Sequence, residues 1–149
     1  MKKIKVKINF VNKILSELPS YETKGSAGMD IKAAINKPIN LKPGERKIIP
    51  SGLQIEIPED YEIQIRPRSG LAIKYGITVL NAPGTIDSDY RGEIGIILIN
   101  LGEKSYKVMP KDRIAQMIFN KIIKAEVIKF NKLSITKRGE GGYGSTGKK

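Results

Sequence analysis

The residues best suited to chemistry are acidic and cluster late in the chain, where Asp87 and Asp89 sit two apart in the run Asn81-Ala82-Pro83-Gly84-Thr85-Ile86-Asp87-Ser88-Asp89-Tyr90-Arg91-Gly92-Glu93. The chain has no cysteine and no histidine. Thiolate nucleophiles, imidazole bases and zinc sites built on either residue are therefore excluded. A general base has to be a carboxylate, and a metal has to be a hard cation held by oxygen. In an extended strand Asp87 and Asp89 share a face, so they read either as a dyad or as one base and one structural acid.

A second cluster suits anions. Arg66-Pro67-Arg68-Ser69-Gly70 leads into a short helical pattern from Ser69 through Leu71, Ala72 and Tyr75 to a stop at Gly76, with Ser69 expected as the N-cap. Arg68, the Ser69 hydroxyl and the free amides of the first turn would make a phosphate cradle. Taken alone, the block reads equally well as an ordinary capped helix.

The net charge of +12 comes mainly from lysines spread over the whole chain, which suits a solvated basic surface better than a nucleic-acid footprint. Arginine is scarcer. Apart from Arg46, the arginines Arg66, Arg68, Arg91, Arg113 and Arg138 lie in or beside the blocks described here, as expected where a planar fork is needed.

These groups must be held by strands. Period-two alternation runs through Ile4/Val6/Ile8/Phe10, Leu53/Ile55/Ile57, Tyr61/Ile63/Ile65 and Ile94/Ile96/Leu98, and a β-branched run surrounds Val127 and Ile128, so each stretch predicts a short strand. Turn signals such as Lys42-Pro43-Gly44-Glu45 and Leu101-Gly102-Glu103 separate them. The expectation is an all-β single domain, a sandwich, barrel or jelly roll with one short helix. Ile77/Val79 and Ile86 are expected to form the two arms of a hairpin that turns at Asn81 to Gly84. The domain is expected to span residues 1–137, followed by a flexible glycine-rich arm over 138–149. No apolar segment of membrane-spanning length or signal-peptide pattern occurs in the sequence, so a cytoplasmic location is expected.

Three familiar patterns nearly match and fail on context. Gly139 to Gly144 satisfies a dinucleotide fingerprint but does not join a strand to a helix, and Gly142 to Lys148 satisfies part of a P-loop but is followed by Lys149. Asp87 to Gly92 opens like a calcium loop, yet the twelfth position is Leu98, not the bidentate Glu.

Five blocks remain: Ser26-Ala27-Gly28-Met29-Asp30, Arg66 to Gly70, Asn81 to Glu93, Asp112-Arg113-Ile114-Ala115-Gln116, and Arg138 to Gly147. In this order and spacing they resemble the five motifs of trimeric dUTPases. The resemblance runs from about Ser26 onward. It implies a jelly-roll-like fold, a homotrimer with shared sites, and Mg²⁺-dependent hydrolysis of dUTP to dUMP and pyrophosphate, which limits uracil in DNA and supplies dUMP for thymidylate synthesis.

By resemblance, Asp87 is the base that activates water, and Arg68, Ser69, Gly70 and Gln116 bind phosphates. Asn81, Gly84, Thr85 and Ile86 form the uracil pocket, and Tyr90 stacks on the sugar. Asp30 holds waters on the Mg²⁺, and Arg138, Tyr143, Gly144, Ser145 and Thr146 close over the substrate. Without the motif, Asp30 reads as a turn residue, Tyr90 as a core aromatic and the arm as a polar tail. Two positions depart from the family pattern: Tyr143 stands for the usual Phe, and Lys111 for a common Gly. The alternatives are a dCTP deaminase of the same fold, alone or bifunctional, and a non-catalytic basic nucleic-acid-binding domain.

Overall fold

The computed structural model describes residues 3–143 and contains eleven strands and one helix among them. The four-stranded sheet has the order β2-β11-β6-β8, formed by Met29–Lys32, Arg113–Lys121, Tyr61–Arg66 and Gly84–Ile86. A three-stranded sheet has the order β4-β9-β7, formed by Arg46–Pro50, Gly95–Asn100 and Ile77–Val79. Two antiparallel pairs complete the fold: β1 (Lys7–Phe10) with β5 (Leu53–Glu56), and β10 (Tyr106–Val108) with β3 (Ile39–Leu41).

The inner faces supply one apolar core. Ile31, Ile63, Ile65, Ala115 and Met117 come from the larger sheet and Ile49, Ile77, Val79, Ile96 and Leu98 from the smaller, all almost fully buried. This sheet-on-sheet burial is the jelly-roll-like architecture expected from the alternation. Buried Asn100 is fully paired: its amide donates to the Leu41 and Lys104 carbonyls at 2.9 Å each and accepts from the Gly102 amide at 2.9 Å. It thereby locks β9 to the strand pair beside it.

Several expectations are corrected. The helix α1 (Ser69–Tyr75) starts at Ser69, so its N-cap is Arg68, in extended conformation and without a side-chain cap. Gly76 does end the helix, at φ 69°, where a side chain would be strained. The hairpin through Asn81 is not formed as a ladder: β7 pairs with β9 and β8 pairs with β6, so the chain crosses between the two sheets at this turn, with a cis Ala82–Pro83 bond.

The run around Val127 and Ile128 forms no strand. Among the described residues the last hydrogen bond to the sheets runs from the Ile122 amide to the Asp60 carbonyl at 2.9 Å. Beyond it Ile123, Val127, Phe130, Leu133 and Ile135 are strongly exposed. Their β-branched character favours a strand only where another strand is available to pair. Among the described residues no helix is long and apolar enough to cross a membrane.

Candidate active site

One end of the candidate site is assembled by register. Asp30 of β2, Gln116 of β11 and Arg66 of β6 are paired side by side across three strands. They lie on the outer face because their neighbours Ile31, Met117 and Ile65 fill the core and successive strand residues alternate sides. The polypeptide leaves β6 through Pro67 and enters α1, bringing Arg68 back over this row. Arg68 Nε binds Asp30 Oδ1 at 3.0 Å, and Gln116 Nε2 donates to the Pro67 carbonyl at 3.0 Å.

Gly28 belongs to the same cluster by close approach. A Cβ built there would stand 2.4 Å from Gln116 Oε1, so glycine is what lets the amide lie flat against the strand. Ser69 and Gly70 are exposed at the start of α1, where the helix's own bonds begin with the Leu71 and Ala72 amides donating to the Arg68 carbonyl. The first two amides therefore face outward without an intrahelical partner.

The other end lies on and after β8. Gly84 is buried, and a Cβ there would meet the Asn81 amide at 3.1 Å and Ile65 at 3.4 Å. Asn81 thus closes against the backbone of the strand it precedes, with Thr85 exposed and Ile86 partly buried beyond it. Tyr90 is 44% exposed and its hydroxyl donates to the Glu93 carbonyl at 3.0 Å. A Cβ on Gly92 would lie 2.3 Å from that hydroxyl, so the ring is laid across Gly92 and fixed there. Tyr90 is not a core aromatic. Asp87 and Asp89 are exposed, and neither carboxylate has a hydrogen bond or ion pair among the described residues.

One chain does not bring the two ends together. Ile86, the last residue of β8, pairs with Ile63, whereas the row of Asp30, Gln116 and Arg66 lies three residues further along β6, and Asp87 follows Ile86 on the side away from that row. At ~3.3 Å per residue the row is roughly 10 Å along β6 from the end of β8.

For a metal, no group of three or more acidic ligands occurs among the described residues. Asp30 is a lone carboxylate between two guanidinium groups, since Arg113 Nη1 also approaches it at 3.3 Å. Such a donor set cannot cage a cation, but it does fit one that arrives on substrate phosphates and is reached through water.

The dUTPase family profile matches residues 15–147. The chain belongs to the dUTPase family. Among curated dUTPases, the deoxyuridine 5'-triphosphate nucleotidohydrolase of Fusobacterium nucleatum is 54% identical over 148 residues, covering 99% of this chain and 100% of that protein. Among solved dUTPases, a mutant from Staphylococcus bacteriophage 80alpha with dUpNHpp superposes with a TM-score of 0.86 at 25% identity, covering 96% of this chain and 98% of that one. A mutant dUTPase from phage phi11 of S. aureus, described with a structural Mg(II) ion, shares the fold with a TM-score of 0.78 at 21% identity, covering 88% of this chain and 99% of that one.

Of the five dUTPase motifs, the first, second and fourth converge on the Asp30–Gln116 row. The third stands apart on β8. In the fifth, Arg138 Nε donates to the Gly141 carbonyl at 2.8 Å and Tyr143 is fully exposed. Gly144, Ser145 and Thr146 lie outside the described residues. Lys111, the departure from Gly, has φ 66°, so the turn keeps its left-handed geometry despite the side chain. The contacts of Arg113 with Asp30 and Arg68 follow from strand register and were not legible in the spacing of the fourth block.

Proposed function

We propose that the chain hydrolyses dUTP to dUMP and pyrophosphate, and the observation that carries this is the convergence of Asp30, Arg68 and Gln116 at the start of α1 in a chain of the dUTPase family. A triphosphate offers several anionic oxygens, and a guanidinium, an amide and outward-facing helix amides are suited to bind them. Ser69 and Gly70 contribute at this end. Asn81, Gly84, Thr85 and Ile86 hold the uracil edge. Tyr90, fixed over Gly92, packs on the deoxyribose and leaves no space for a 2′-hydroxyl.

Asp87 takes the proton from a water as the water's oxygen bonds to the α-phosphorus. The bond from that phosphorus to the bridging oxygen breaks, and pyrophosphate departs with the electron pair. A carboxylate with no partner among the described residues is free to accept this proton. Mg²⁺ carried on the triphosphate would offset phosphate charge, with Asp30 reaching it through water.

The site is shared between subunits of a homotrimer. Two features support this: the separation of roughly 10 Å along β6 between the end of β8 and the Asp30–Gln116–Arg66 row, where reacting atoms must come within ~3–3.5 Å, and the apolar outer face of β4-β9-β7. There Ile48 pairs with Ile97, and Ile99 lies between Arg46 and Thr78. Ile48 is 68% exposed and Leu80 follows β7 at 46%, an unusual amount of aliphatic surface for a chain standing alone. Residues 138–149 form the arm that closes the site, Arg138 and the residues around Tyr143 covering phosphates and base. The enzyme acts in the cytoplasm.

Incubation of the purified protein with dUTP, dCTP or UTP and Mg²⁺, following pyrophosphate and ammonia, tests this directly. Pyrophosphate from dUTP alone is expected. Ammonia from dCTP, or no pyrophosphate from dUTP, overturns it, and a fully active monomer by light scattering overturns the shared site.

A further inference from the structure

Arg113 opens β11 and touches the phosphate cluster twice, with different atoms. Its side-chain Nη1 binds Asp30 Oδ2 at 3.3 Å, and its backbone carbonyl accepts from Arg68 Nη1 at 3.1 Å. Arg68 Nε in turn binds Asp30 Oδ1 at 3.0 Å. These three contacts close a ring: Asp30 to Arg68, Arg68 to Arg113, Arg113 to Asp30.

The backbone is shaped for the ring. Between Arg113 and Ala115 the pairing with β2 shifts, so that Arg113 faces Lys32 while Ala115 faces the next residue, Ile31. Burial confirms the extra residue, because Ile114 and Ala115 are both buried where alternation would bury only one. A bulge of this kind re-aims one residue and takes it out of the regular ladder. Here it turns the Arg113 carbonyl toward Arg68.

The ring uses Nε and Nη1 of Arg68, and Nη2 has no protein partner among the described residues. We propose that Arg113 is a positioning residue that, through Asp30 and its own carbonyl, holds the Arg68 guanidinium with its Nη2 edge presented to the substrate's phosphate oxygens. Two planar donors converging on one carboxylate fix orientation in a way that a single ion pair does not. Asp30 is only 17% exposed in its side chain and Arg68 30%, so these contacts are less screened than surface pairs. The Arg113 pair with Glu22, at 3.4 Å and with both partners about half exposed or more, is a surface pair and serves as the control.

This inference rests on the proposed hydrolysis of dUTP, and the test separates the two. Arg113→Gln should raise KM for dUTP at least ~10-fold, the scale of one charge-assisted hydrogen bond, and weaken inhibition by pyrophosphate by a similar factor. Inhibition by deoxyuridine, which carries no phosphate, should stay unchanged. Arg113→Lys, which retains a cation for Asp30, should recover part of the loss, and Glu22→Gln should stay within ~2-fold of wild type.

A general structural role would weaken deoxyuridine and pyrophosphate alike, and that result overturns the proposal, as does an unchanged KM in Arg113→Gln. Pyrophosphate binding is read without turnover, so an enzyme inactive on dUTP would refute the proposed reaction while leaving the ring testable.

Discussion

Gly28→Ala tests the phosphate end with one added methyl. Gly28 is not among the glycines of positive φ, so alanine brings no backbone strain and its effect is purely one of contact. The new Cβ would stand 2.4 Å from Gln116 Oε1 and 3.3 Å from Cδ, forcing the amide to move by about 1 Å or to change rotamer. Either movement breaks the 3.0 Å bond from Gln116 Nε2 to the Pro67 carbonyl. Losing that neutral bond costs about 0.5–1.5 kcal/mol of stability, a fall in Tm of roughly 1–6 °C for a domain of this size.

The catalytic effect should be larger. A bond from the amide to a charged phosphate contributes about 1.5–3 kcal/mol, so kcat/KM for dUTP should fall by about 10- to 100-fold. The decisive assay is a double-mutant cycle with Gln116→Ala, which has no amide to displace. On that background Gly28→Ala should cost almost nothing. Additive losses, or a single mutant within ~2-fold of wild type, would refute the placement of Gln116.

Asp87→Asn should bind dUTP normally by calorimetry and turn it over at least ~10²-fold more slowly, as for loss of a general base. Deleting residues 138–149 should remove most turnover and leave circular dichroism unchanged, because the described part of this segment makes only local hydrogen bonds. Lys111→Gly should raise stability by up to ~1 kcal/mol in urea titration, since a non-glycine residue at φ 66° is strained. Glu45 should titrate below the ordinary value of 4.5, chiefly because the Lys42 amide donates to its carboxylate, with Lys47 adding to the effect. A depressed folded pKa contributes stability above the unfolded value that is lost as pH falls through the folded one. Between about pH 6 and about pH 3 the Tm of Glu45→Gln should therefore fall less than that of wild type.

Strands with one face in the core were legible from sequence: β5, β6 and β9 alternate buried Leu53/Ile55, Ile63/Ile65 and Ile96/Leu98 with exposed or half-buried neighbours. β11, nine residues long, was not. Ile114-Ala115 breaks its alternation at the bulge, and Met117-Ile118-Phe119 carries apolar residues on both faces. Ser69 looked like a cap because its type favours one, but the helix begins a residue earlier in the contact network, where Arg68 is held by Asp30. The turn at Asn81 resembled a hairpin because local sequence cannot reveal that its two arms belong to different sheets. Val127 and Ile128 have strand composition and no strand to join. In the site, motif spacing named the residues, but only the register put Asp30, Gln116 and Arg66 in one row and left Asp87 at a distance.

The separation along β6 between the end of β8, which leads to Asp87, and the row that holds Arg68 has a genetic consequence under the shared-site arrangement. A chain damaged only on β8 and a chain damaged only at the start of α1 would each be inert alone. Mixed in one trimer, they could still build a site from the intact half of each. Two null alleles in the same cell would then complement each other, whereas two alleles with lesions in the same row of the sheet would not. Interallelic rescue would thus map which residues work together across subunit boundaries, independently of any structure.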